Sequence, residues 1–166
     1  MSGKHGVIKR HRFHGDPARF EAVTALVGDR FGRRIRYIAD VAGGQGMLGR
    51  FLNKAGYEAE VIDPRGWTLP GVASRTEPYQ VKMADYYDLV VGLHPDQALR
   101  PVVESAQVRP ILVVPCCNFW DTGQKLGRDA LLAELEAYFC TQKIPFERLE
   151  LAFEGPNNIG FLAGHR

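Results

Sequence analysis

Residues 35–49 read IRYIADVAGGQGMLG, and residues 60–63 read EVID. The run from Ile35 to Val41 reads as a strand. It ends on Asp40 and Val41 and passes into a glycine cluster, where the backbone can turn tightly and approach a ligand closely. Met47, Leu48, Phe51, Leu52 and Ala55 then follow helical spacing, and Gly56 stops that helix. Glu58 to Asp63 forms a second strand, closed by Pro64. A strand, a glycine loop, a helix and a strand ending on an acid make half of a nucleotide-binding α/β domain.

Two ligand chemistries compete for this loop. Gly44-Gln45-Gly46-Met47-Leu48-Gly49 fits the GxGxxG pattern, and Asp63 follows about 20 residues on, so the spacing alone points to NAD. Asp40 argues against it. A dinucleotide sets an anionic pyrophosphate at the N-terminus of the following helix, where a neighbouring carboxylate repels it. S-adenosylmethionine instead carries a sulfonium and an ammonium, which a carboxylate attracts, and Asp63 can accept hydrogen bonds from ribose hydroxyls. A chain of 166 residues also leaves little room for the substrate domain of a dehydrogenase. In a third reading the glycines only make a tight turn and hold no cofactor.

ADVAGGQG resembles the first motif of class I S-adenosylmethionine-dependent methyltransferases, and VID resembles their second acidic position. The resemblance implies a cofactor held by Asp40, Ala42, Gly43, Gly44, Gly46, Asp63 and Gly92, with Asp85 near the adenine. Ala42 stands where that family usually has its first glycine.

Outward from this unit, Asp16-Pro17 is a good helix start, and Phe20, Val23, Ala25 to Val27 and Phe31 give that helix an apolar face as far as Gly32. Asp88 to Leu93 and Pro110 to Val114 read as buried parallel strands, joined by a helix near Gln97 to Ser105. A helix follows Gly127. Phe146 to Phe153 and Ile159 to Ala163 are too close for a parallel crossover and should form an antiparallel hairpin. Between Pro64 and Tyr87 no helix is legible, and a strand is expected only around Val72 to Thr76. The expected fold is α/β, a doubly wound, mostly parallel sheet with a C-terminal antiparallel hairpin. Residues 1–15 are expected to be a flexible basic leader, with the domain covering 16–166.

Chemistry in such a sheet sits beyond the C-terminal strand ends. Gly92-Leu93-His94-Pro95-Asp96 and Pro115-Cys116-Cys117-Asn118-Phe119-Trp120 emerge there. They resemble the GLH and PCC segments of a methyltransferase-like family that includes relatives of tRNA-modifying enzymes, with His-Pro-Asp-Gln here in place of its usual His-x-Cys-Gly. His94 reads either as a general base or as a strand cap, with Asp96 beside it as a further candidate catalytic group. Cys117 or Cys116 reads either as a thiolate nucleophile or as a small packing residue. Adjacent cysteines lack the spacing of a zinc site, so no metal is expected. Asn118 and an exposed Trp120 are the candidates for reading and stacking an acceptor base, with Phe119 assigned to the core.

The partner question turns on charge. Residues 1–36 hold nine Lys and Arg against three acids, whereas the remainder holds twelve against sixteen. A basic arm with Arg10, His11, Arg12, His14, Arg33 and Arg34 suits an RNA acceptor or is a solvated tail. No apolar run reaches the roughly 20 residues of a membrane span, and the N-terminus has no signal-peptide core. Three cysteines make no disulfide framework, which suggests the cytoplasm. A methyltransferase acting on RNA, one acting on a small molecule, and a non-catalytic cofactor-binding scaffold all fit these features.

Overall fold

A computed structural model describes residues 16–165; the expected basic leader at 1–15 and Arg166 lie outside the described residues. The strands are β1 (Tyr37–Val41), β2 (Glu58–Ile62), β3 (Ala73–Arg75), β4 (Leu89–Leu93), β5 (Ile111–Val114), β6 (Phe146–Glu150) and β7 (Ile159–Ala163). They form one sheet in the order β3-β2-β1-β4-β5-β7-β6. Pairing is parallel from β3 across to β5, while β7 runs antiparallel to both β5 and β6. The expected hairpin is present, with its second strand inserted between β5 and β6.

Alternation along the central strands divides the core between two faces. Ile38, Leu89, Val91, Leu112 and Val114 pack with Val23, Val27 and Phe31 of α1 (Arg19–Phe31) and Leu48 and Leu52 of α2 (Met47–Lys54). Ala39, Val41, Val90, Ile111 and Val113 pack with α3 (Leu99–Glu104) and with Leu131, Leu135 and Phe139 of α4 (Arg128–Thr141). Both faces are therefore covered, which is why β4 and β5 read as continuous apolar runs.

Two local readings, at 146–153 and 81–86, need correction, while the helix-free link from β2 to β3 is as expected. Phe146 to Phe153 is not all strand: β6 ends at Glu150, and residues 151–158 form a loop closed by the Leu151 amide donating to the Asn158 carbonyl at 2.8 Å. The link from β2 to β3 carries no helix. Residues 64–72 instead fold over the glycine loop, where the Leu69 amide donates to the Gln45 carbonyl at 3.0 Å. Val81–Tyr86 is a 3-10 helix that buries Met83 and Ala84, and its three-residue turn leaves no helical period to read.

The strand order reverses between β1 and β4, the point at which an open α/β sheet forms a crevice.

Candidate functional site

A cavity of about 710 Å³ lies in that crevice, walled by Asp40 and Ala42 to Gln45 after β1, Leu93, His94 and Asp96 after β4, and Cys116 and Cys117 after β5. Asp16, Arg19 and Phe20 from the start of α1 and Phe153 to Asn157 from the β6–β7 loop complete it, with Arg65 and Trp67 at one side. Among the described residues, Ala42, His94 and Asp96 are three of the four non-glycine residues with positive φ, at 55°, 54° and 47°. Left-handed backbone costs such residues on the order of 1 kcal/mol each and gathers where a site dictates geometry. Ala42 thus takes the conformation for which a glycine would be suited.

Asp40 is 1% exposed and its Oδ2 has no hydrogen-bond partner. Burial pushes its pKa from 3.8 up to about 7, a hydrogen bond from the Gly49 amide opposes the rise, and the charge of Asp63 adds to it. A buried carboxylate with an unpaired oxygen is costly and is relieved by a cation. Gly43 lies directly on it: a Cβ at 43 would stand 2.7 Å from Asp40 Oδ1. At Gly44 a Cβ would meet nothing closer than Arg65 Nη2 at 3.8 Å, so that glycine leaves open space on the cavity side. Gly46 starts α2 with φ 83°, and a Cβ there would press on Val72 at 3.1 Å and Thr68 at 3.2 Å. Its role is to admit the crossover, and it is not part of the lining.

Asp63 is not presented to the cavity as a free ribose acceptor. Its Oδ1 accepts the Arg65 amide and Nε, both at 2.9 Å, and its Oδ2 accepts the Gly44 amide at 2.9 Å and Arg65 Nη2 at 2.6 Å. Burial pushes this carboxyl up, but the Arg65 guanidinium and the two amides outweigh it and hold it below the ordinary range. The pair in turn raises the pKa of Arg65.

His94 stands on the cavity wall at the end of β4. Its Nε2 lies 2.9 Å from the Asn157 carbonyl oxygen. A carbonyl only accepts, so Nε2 carries the proton and Nδ1 is the basic nitrogen. Burial lowers the pKa below 6.5, the Asn157 bond opposes, and Arg19 lowers it further, so the ring is neutral at physiological pH. Asp96 lines the same wall and accepts from the Cys116 thiol at 3.4 Å. Burial first, then the charge of Asp96 and the neighbouring Cys117, push the Cys116 thiol upward, the opposite of what a nucleophile needs. Cys117 is exposed on the same wall.

The remaining expected residues lie elsewhere. Trp120 is not exposed: it is 8% accessible, packs edge-on against Tyr138 at 5.0 Å and sits under the Arg100 guanidinium at 4.1 Å. Phe119, assigned to the core, is only partly buried against the same cluster. Asn118 folds back on its own loop, donating to the carbonyls of Asp121 at 2.6 Å and Gln124 at 2.8 Å, so it reads no ligand. Asp85 is on the exposed side of the 3-10 helix, because Met83 and Ala84 take the buried side, and it is away from the cavity. Gly92 is a packing glycine, where a Cβ would stand 3.0 Å from Val102 Cγ1 and 3.1 Å from Pro95 Cγ. Arg33 and Arg34 follow the far end of α1, about 20 Å from its cavity end at 1.5 Å per residue. Arg34 Nε donates there to the Phe31 carbonyl at 3.2 Å.

No protein-family profile and no curated protein matches the chain. Solved structures do. DesVI of Streptomyces venezuelae aligns at 16% identity with a TM-score of 0.55, over 89% of this chain and 90% of its own. The plantazolicin methyltransferase BpumL, solved with S-adenosylhomocysteine, aligns at 11% identity and TM-score 0.57, over 89% and 82%. A candidate hemolysin of Streptococcus thermophilus aligns at 10% identity and TM-score 0.59, over 93% and 68%. This is the class I methyltransferase fold.

Within the methyltransferase fold, several lining residues carry no sequence signal. Arg19, Phe20 and the 153–157 loop join the cavity through tertiary packing alone. Arg65 and Trp67 had one signal, their place directly after VID.

Proposed function

We propose that the chain is an S-adenosylmethionine-dependent methyltransferase. The observation that carries this reading is Asp40: a buried carboxylate beneath a glycine loop, with its Oδ2 unpaired, favours a cation and disfavours a pyrophosphate. Gly43 and Gly44 in the lining, with the open space at Gly44, suit a close-fitting nucleoside. When bound, S-adenosylmethionine supplies an electrophilic methyl group on a sulfonium.

The chain's own residues then have distinct tasks. Asp40 offsets the positive charge of the ligand. His94 Nδ1 takes the proton that the acceptor releases, and the Asn157 carbonyl holds the imidazole in the tautomer that leaves Nδ1 free. Phe20, Leu93 and Phe153 exclude water from that end of the cavity. A protonated Cys116 takes no nucleophilic part.

For the acceptor, a small neutral or cationic molecule suits the rim better than a polyanion. Asp16, Asp96 and Glu154 line it against Arg19 and Arg65, and Arg65 is already paired with Asp63. RNA is the second reading, favoured by the basic residues within 1–15, while Arg33 and Arg34 stand too far from the cavity to serve it. The free thiols Cys116, Cys117 and Cys140 support a reducing, cytoplasmic setting, and no described helix is long and apolar enough to cross a membrane.

Methyl-labelled S-adenosylmethionine incubated with the protein and an extract tests this assignment. Label in the small-molecule fraction supports it, and label in RNA moves the acceptor to the second reading. Cofactor binding with no labelled product in any fraction points to a non-catalytic scaffold.

A further inference from the structure

The ribose-side acid of this cavity is closed by the chain itself. An ionised carboxylate offers about four acceptor positions, and Asp63 has all of them in use: the Arg65 amide and Nε on one oxygen, the Gly44 amide and Arg65 Nη2 on the other. Its side chain is 1% exposed whereas that of Arg65 is 39% exposed, so the guanidinium lies between the acid and the cavity. The same guanidinium stands over the Trp67 ring at 4.7 Å, and Gly66 between the two residues has φ 67°.

We propose that Arg65 is a latch on Asp63, which a ribose-bearing ligand must displace before its hydroxyls reach the carboxylate. The inference rests on the cofactor reading above. Asp63 stays ionised and Arg65 stays protonated; what changes is which donors the carboxylate holds. Two guanidinium donors leave, two ribose hydroxyls replace them, and the aromatic face of Trp67 retains the displaced side chain near the rim. Arg65 therefore acts on binding as a positioning residue and has no part in methyl transfer. Two consequences follow. Ligand entry is limited by latch opening, and the apparent affinity is reduced by the fraction of molecules that are open.

Stopped-flow and calorimetric titrations with S-adenosylhomocysteine test the latch in the native chain, Arg65→Met and Arg65→Lys. In the native chain the observed binding rate should level off as ligand concentration rises, and association should speed up with salt, which weakens a partly exposed ion pair. Arg65→Met should bind about tenfold more tightly or better, as expected if the open form is about a tenth of the population or less. Its rate should rise linearly with ligand and ignore salt. Arg65→Lys keeps the charge but loses the two-pronged contact; it should fall between the two, and it serves if the Met variant does not fold. Weaker or unchanged binding by the variants, with binding by the native chain intact, overturns the latch and makes Arg65 a ligand or a bystander. If no folded form binds S-adenosylhomocysteine, the cofactor reading fails and the latch falls with it.

Discussion

Asp40 and Gly43 compete for one space: a Cβ on residue 43 would lie 2.7 Å from Asp40 Oδ1 and nearer still to Oδ2 and Cγ. The glycine is required by the carboxylate behind it. Gly43→Ala must shift the loop or the acid, at a cost of about 1–3 kcal/mol for overpacking, and should abolish binding of S-adenosylhomocysteine. Adding Asp40→Ala should restore the melting temperature without restoring binding. A Gly43→Ala protein that melts and binds like the native chain would contradict this placement.

Asp40 also predicts a pH dependence. Its pKa is about 7 in the fold against 3.8 ordinarily, so the folded state holds this proton more tightly than the unfolded one. The stability it contributes is full below 3.8, declines as pH rises, and is lost above about 7. Asp63, held low by Arg65 and two amides, contributes with the opposite sign and loses its stabilisation in acid. Subtracting the melting profile of Asp40→Asn isolates the Asp40 share, which should fall across this window. Binding of S-adenosylmethionine should strengthen over the same window as the carboxylate ionises, and should be weak and nearly flat with pH in Asp40→Asn.

The His94–Asn157 contact fixes a tautomer that nitrogen NMR reads directly. The ring should be protonated on Nε2 and should titrate below 6.5, because burial disfavours the imidazolium. An Nδ1-protonated ring, or a midpoint above 6.5, would remove His94 as the base.

Trp120 tests the corrected part of the site. As a core residue under Arg100, its replacement by Ala should cost about 3–5 kcal/mol. A stacking residue for the acceptor would instead leave stability nearly unchanged. Thermal and denaturant unfolding distinguish the two.

Features that depend on chain-local pattern were legible in the sequence. The run around β1, the glycine loop, the acid after β2 and the spacing of the final hairpin each follow from short-range rules, and together they give the fold class with its antiparallel hairpin. What escaped depends on contacts between distant segments. Nothing in the sequence shows that Arg65 occupies the Asp63 carboxylate. Trp120, placed before the polar stretch DTGQK, reads as exposed until Tyr138 and Arg100 are seen to enclose it. Arg19 looks like any charged residue on an amphipathic helix, yet it is buried against the cavity. His94 was ambiguous between cap and base, and its distance to Asn157, 63 positions away in sequence, supplies the tautomer.

The proposed function requires a cavity that takes a cationic nucleoside in preference to an anionic dinucleotide. Calorimetric titration of the native chain and of Asp40→Asn with S-adenosylmethionine, S-adenosylhomocysteine and NAD tests it most directly. The first two should bind, NAD should bind little or not at all, and Asp40→Asn should lose much of its affinity for S-adenosylmethionine. Tighter binding of NAD than of S-adenosylmethionine, or NAD affinity that falls when Asp40 is neutralised, would contradict it.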